Sequence, residues 1–196
     1  MRKTIWFLMI FAAVSFTQSA CTFKTKEQLE KEKNENEWKK YSADLINHWI
    51  GRKMILPKLP IVFDDSVSLD YKNTYKTPLK MVAYIDGSCG VCISSLHEWK
   101  KFMNKLKKQQ LKVDCMIYMY AEDRNDFQKE IFSKLKLNTP WIFDKNMKFV
   151  KANDLTDMRF QTALINSDDK VLMLGSIVQR PELEELYIDL ISQKSK

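Results

Sequence analysis

Two cysteines separated by two residues, Cys89 and Cys92 in the run Asp86-Gly87-Ser88-Cys89-Gly90-Val91-Cys92, carry the clearest chemistry in this sequence. Thiols at that spacing can exchange two S–H groups for one disulfide, or hold half of a metal site, and the flanking residues decide which. Met81 to Ile85 is a short apolar run suited to a buried strand. After the motif, Ile93, Leu96, Trp99, Phe102, Met103 and Leu106 recur at helical spacing, with Lys100, Lys101, Lys105, Lys107 and Lys108 on or near the opposite face. A dithiol between a buried strand and a helix start is the redox context. There the unpaired backbone N–H groups and the positive end of the helix dipole favour a thiolate and lower the first thiol below its free pKa of about 8.5. The second cysteine, about one turn inside the helix, can attack a mixed disulfide and release the product. Cys89 is therefore the expected nucleophile and Cys92 the expected resolving thiol.

Two other uses of the pair stand beside this one. A permanent disulfide could staple the helix start, although so small a ring contributes little chain-entropy stabilisation. A zinc site would need two further ligands, and the only histidines are His48 and His97. Neither a metal nor a cofactor is expected. The remaining internal thiol, Cys115, falls in an apolar run and is expected to be buried as core filling.

The elements that must position the dithiol alternate strand and helix, the pattern of an α/β layered domain. Ile61-Val62-Phe63 is expected as an edge strand, Val113 to Tyr120 as the strand after the CxxC helix, and Trp141-Ile142-Phe143 as a further strand. Between the last two, Asn125 and Gln128 are expected to cap a helix carrying Phe127, Ile131 and Leu135. An irregular stretch is expected through Leu155. A hairpin follows, with arms Thr162 to Ile165 and Val171 to Leu174, and a closing helix opens at Pro181 with Leu183, Leu186, Tyr187, Leu190 and Ile191 on one face.

With the dithiol, the hairpin and the closing helix in this order, residues 61–196 resemble the thioredoxin-like fold, a central mixed β-sheet flanked by helices. Within that fold they are most similar to the TlpA/ResA-like envelope thiol-disulfide oxidoreductases. The resemblance implies disulfide exchange with cysteines of other envelope proteins. Three positions depart from the family pattern: Ser88 stands where Trp is common, Ala83 where thioredoxins place a buried acid, and Met158-Arg159-Phe160-Gln161-Thr162 lacks the cis-proline that faces the dithiol. A cis peptide without proline costs about 3 kcal/mol, so this loop is expected to be trans. Phe160 and Gln161 are expected in the loop facing the dithiol, and Arg159 either stabilises the Cys89 thiolate or pairs with Asp157. The competing reading is a non-catalytic binding lipoprotein whose CxxC is a structural disulfide.

The ends of the chain bear on location. Arg2 and Lys3 precede an apolar core from Ile5 to Val14 that is too short to span a bilayer, which reads residues 1–20 as a signal peptide. Thr17-Gln18-Ser19-Ala20-Cys21 resembles a lipobox, with Gln18 where an aliphatic residue is usual, so Cys21 is the expected lipidation site; the alternative is ordinary cleavage after Ala20. Residues 21–37 form a polar tether, and residues 38–60 a helix and linker with Trp38, Tyr41, Leu45 and Trp49 at helical spacing. The expectation is a periplasm-facing protein held to a membrane of the cell envelope by its lipid. The formal charge of +7 is spread among acidic residues, with no basic and aromatic stripe, so no nucleic-acid partner is expected.

Overall fold

A computed structural model describes residues 25–63, 66–137, 139–178 and 180–195. The chain divides into two compact units, Met1–Ala43 and Asp44–Lys196. The signal segment and Cys21 lie outside the described residues.

Helix α1 (Lys26–Trp49) runs across the boundary between the units and has no buried residue. It starts earlier than the apolar spacing at Trp38 announces, because Thr25 and Gln28 form a reciprocal cap. The Gln28 N–H donates to Thr25 Oγ1 (3.2 Å) and the Thr25 N–H to Gln28 Oε1 (2.9 Å). Lys39–Glu35 at 2.8 Å and Lys33–Glu37 at 3.8 Å add i,i+4 pairs along its polar length. No helix among the described residues is long and apolar enough to cross a membrane.

In the second unit the order is β1 (Ile61–Phe63), β2 (Ser66–Ser68), α2 (Tyr71–Thr74), β3 (Lys80–Asp86), α3 (Gly90–Lys108) and β4 (Asp114–Tyr120). There follow α4 (Arg124–Phe127), a π-turn over Gln128–Phe132, α5 (Ser133–Leu135), β5 (Trp141–Phe143) and α6 (Lys148–Asn153). The chain ends with a 3-10 turn at Met158–Phe160, the hairpin β6 (Thr162–Ile165) and β7 (Val171–Leu174), and α7 (Pro181–Lys194). One seven-stranded sheet takes the order β2-β1-β5-β4-β3-β6-β7. β3 pairs in parallel with β4, and β4 with β5; β6, β7, β1 and β2 join antiparallel. β1 is therefore not the edge strand expected of it, because β2 pairs along its outer side.

Both faces of β3 and β4 are covered, which is why these strands read as continuous apolar runs rather than alternating ones. Met81, Ala83 and Ile85 of β3 and Ile117 and Met119 of β4 pack in one core with Leu96, Trp99, Phe102 and Leu106 of α3 and Tyr187, Ile188 and Ile191 of α7. On the opposite face the Tyr118 ring stacks on Phe149 of α6 at 4.5 Å. Helix α6 occupies part of the stretch expected to be irregular. It is held by Asp144, a buried carboxylate that accepts the N–H groups of Lys148 and Phe149, each at 2.8 Å. The expected Asn125–Gln128 cap is replaced by Asp123, whose carboxylate accepts from the N–H of Asn125 (2.7 Å) and of Asp126 (2.9 Å). Gln128 instead receives the Trp141 indole N–H at 2.8 Å.

Candidate functional site

The site is built where β3 hands over to α3. Between them the chain makes a tight passage at Gly87, whose N–H donates to the Tyr120 carbonyl at 2.9 Å. A Cβ there would meet Phe127 Cε2 at 2.6 Å and the Tyr120 carbonyl closer still, so only glycine fits. Asp86 fixes the next residue, its carboxylate accepting the Ser88 N–H at 2.9 Å and the Ser88 hydroxyl at 2.6 Å. Cys89 then takes extended backbone angles, φ −96° and ψ 114°, as the residue that caps α3. Its sulfur accepts the Cys92 N–H at 3.3 Å, and its carbonyl accepts the first helical hydrogen bond from Ile93 at 2.9 Å. Cys89 and Cys92 are both half-buried free thiols.

Across from the dithiol runs the turn Met158–Phe160, where the described residues contain no cis peptide bond, as expected without proline. Met158 is the residue that reaches the dithiol. The Cys92 thiol donates toward its Sδ at 3.7 Å. Phe160, in the same turn, is buried. Gln161 does line that cleft, while its amide donates to the Leu155 carbonyl at 2.9 Å. Arg159 takes the second of its two expected roles. Its Nε and Nη2 form a two-pronged pair with the Asp157 carboxylate at 2.9 and 2.7 Å. The reason is local: Asp157 caps the 3-10 turn by accepting the Arg159 N–H at 3.0 Å, so the carboxylate is already beside the guanidinium.

The cleft holds about 130 Å³ and is mostly apolar, with Tyr84, Val91, Trp99, Met158 and Val178 among its walls and Ser95, Thr162 and Ser176 adding hydroxyl-bearing residues. No family model and no curated protein matches the chain. Among solved structures, 72% of it superposes on 99% of a chain assigned as the thiol:disulfide interchange protein DsbE from Chlorobium tepidum, with a TM-score of 0.54 and 15% identity. The C-terminal domain of a chain assigned as a thiol-disulfide oxidoreductase from Bacteroides thetaiotaomicron is similar over 74% of this chain and 97% of its own, with a TM-score of 0.55 and 15% identity. A thiol:disulfide interchange protein from a Bacteroides species matches over 73% and 91%, with a TM-score of 0.53 and 11% identity. The fold is thioredoxin-like.

In this thioredoxin-like site the two thiols are driven apart. Cys89 lies below the ordinary thiol range, first through the neighbouring Cys92 side chain, then because the backbone N–H groups of Cys92 and Val91 donate to its sulfur. Cys92 is pushed up to about 12, mainly by burial and then by the hydrogen bond and negative charge of Cys89. The Asp86 carboxylate opposes ionisation of both. A capping thiol biased toward its thiolate beside a protonated partner is the starting condition for disulfide exchange. Position 83, where thioredoxins carry a buried acid, is a fully packed Ala83 that offers no proton relay. Cys115, expected to be buried, is half-buried and packs against the core, and burial of its thiol with the nearby Asp114 raises it to about 12.

Sequence reasoning identified the two cysteines and missed Met158. The signal available was Asp157, an N-cap residue two positions before Arg159, which folds the segment into a turn and exchanges the residue presented to the dithiol.

Proposed function

We propose that this protein is a thiol-disulfide oxidoreductase acting on cysteines of other envelope proteins through a mixed disulfide on Cys89. The observation that carries this is the opposed ionisation of the pair: the capping sulfur of Cys89 receives hydrogen bonds that favour its thiolate, while Cys92 stays protonated. In the reducing direction the Cys89 thiolate attacks a disulfide of the partner and forms a mixed disulfide, and one partner sulfur leaves. That event removes the negative charge that helped hold Cys92 protonated, so Cys92 can ionise and attack the Cys89 sulfur. An intramolecular disulfide forms and the second partner sulfur departs, two electrons having passed to the partner. The oxidising direction runs the same steps in reverse. The asymmetric thiols favour this role over a permanent staple, whose four-residue ring would contribute little.

The export segment and Cys21 support a place outside the cytoplasm, tethered to an envelope membrane by lipid on Cys21, where partner disulfides persist. The test is a Cys92→Ser variant expressed with its own leader. It should accumulate mixed disulfides with envelope proteins, which Cys89→Ser should abolish. Absence of adducts, together with a reduction potential in the range of structural disulfides, below about −300 mV, would favour the staple.

A further inference from the structure

Of the ten methionines in the chain, Met158 is the only one among the described residues that is exposed. Its residue is 60% accessible, whereas Met54, Met81, Met116 and Met119 are buried and Met103, Met147 and Met173 are half-buried. An exposed thioether is the form of methionine most open to oxidation by peroxides or hypohalous acids. This one is also the neighbour of a dithiol, with its sulfur 3.7 Å from Cys92 Sγ. The contact is held from both sides. Asp157 caps the turn that carries Met158, and the Ser176 N–H donates to the Arg159 carbonyl at 2.7 Å, tying the turn to the end of the hairpin. A thioether, a protonated thiol and a second thiol therefore stand in series from Met158 through Cys92 to Cys89.

We propose that the dithiol also reduces the sulfoxide of Met158 within the same molecule, so that Met158 serves as a renewable scavenger of oxidant beside the active thiols. The inference rests on the proposed redox role of Cys89 and Cys92. The Cys92 sulfur attacks the sulfoxide sulfur. The oxygen takes the Cys92 proton and one proton from solvent and leaves as water, giving a Cys92–Met158 thiosulfonium. The Cys89 thiolate then attacks the Cys92 sulfur, the Cys89–Cys92 disulfide forms, and the bond to Met158 breaks to restore the thioether. In sum, one sulfoxide and two thiols become one thioether, one disulfide and one water, with two electrons passing from the dithiol to Met158. The oxidant enters only in the earlier step that makes the sulfoxide, and the disulfide left behind is the form that any reductant of the dithiol resets. The cleft is open, and Met158 is exposed enough for solvent to hydrate a sulfoxide oxygen.

The experiment begins with the protein in its Cys89–Cys92 disulfide form, so that hydrogen peroxide oxidises methionine and spares the thiols. The disulfide is opened briefly with a phosphine, the phosphine is removed under nitrogen, and peptide masses are followed with time. The 16 Da adduct on Met158 should fall by at least about half, since a fixed approach can favour one sulfoxide epimer. Each adduct lost should be matched by one Cys89–Cys92 disulfide gained, while adducts on Met103, Met147 and Met173 persist. Cys92→Ser and Cys89→Ser, protected during oxidation as methylthio mixed disulfides, should keep the Met158 adduct. If wild-type Met158 sulfoxide persists like the control methionines while the same sample still reduces a small aromatic disulfide, the scavenging role is overturned and the redox reading stands. If it reduces neither, both fall.

Discussion

Gly87 sets where the dithiol sits, and replacing it has a calculable cost. The Gly87→Ala methyl would lie 2.6 Å from Phe127 Cε2 and closer to the Tyr120 carbonyl, which is backbone and cannot rotate away. Forcing one methyl into a filled site costs about 1–3 kcal/mol. Relief by moving the chain stretches the Gly87 N–H bond to that same carbonyl, now 2.9 Å, a further loss of about 1 kcal/mol. The combined destabilisation is about 2–4 kcal/mol. For a protein of this length each kcal/mol lowers Tm by about 2–4 °C, which gives a drop of about 4–16 °C. Gly90, three residues on in the first turn of α3, is the internal control, because a Cβ there meets nothing within 4 Å. Gly90→Ala should leave stability unchanged or raise it by up to about 1 kcal/mol, since alanine restricts the unfolded chain. Urea unfolding of both variants in the reduced state, with calorimetry for Tm, makes the comparison. Equal stability of Gly87→Ala and wild type, or equal losses at positions 87 and 90, would refute this account of the loop.

Alkylation by iodoacetamide should modify Cys89 at a pH below the ordinary thiol range and leave Cys92 unmodified through neutral pH, as read by peptide mass against pH; equal reactivity of the two would contradict the asymmetry. Asp86→Asn removes a charge that opposes both thiolates, so the pH profile for Cys89 should move lower; an unmoved profile would remove Asp86 from the site. Because burial raises the folded pKa of Cys115 to about 12, its thiol disfavours the folded state only as pH rises past the unfolded value near 8.5 and towards that figure. Between pH 7 and 10, Cys115→Ala should therefore gain roughly 2 kcal/mol of stability relative to wild type, at 1.36 kcal/mol per pH unit above 8.5, and a pH-independent difference would be inconsistent. Tyr187→Phe deletes a buried hydroxyl that donates to the Gly175 carbonyl at 2.9 Å behind the hairpin; chemical denaturation should show a loss of about 1–3 kcal/mol.

The legible parts of the fold were those with strong periodicity. The apolar runs of β3 and β4 and the i, i+3, i+4 spacing of α3 and α7 each reflect burial against several neighbours, and the hairpin arms at 162–165 and 171–174 coincide with their sequence boundaries. Elements held by one side-chain contact were not legible. Helix α6 is six residues long and depends on the buried Asp144 carboxylate rather than on an apolar stripe. β2 is a strand with all three residues exposed, so no alternation marks it. At the site, the cysteines were legible because the strand and helix around them fix their place. The opposite wall was not, since a single cap by Asp157 decides that Met158 reaches Cys92 and that Arg159 turns back.

The central claim is that Cys89 attacks first and Cys92 resolves. Stopped-flow reaction of the reduced protein with a small aromatic disulfide at pH 7, quenched in acid and read by mass, tests it most directly. The account predicts that wild type passes through a short-lived adduct to the Cys89–Cys92 disulfide, that Cys92→Ser stops with the adduct on Cys89, and that Cys89→Ser scarcely reacts at the CxxC. An adduct that forms first on Cys92, or equal rates for the two single variants, would contradict it.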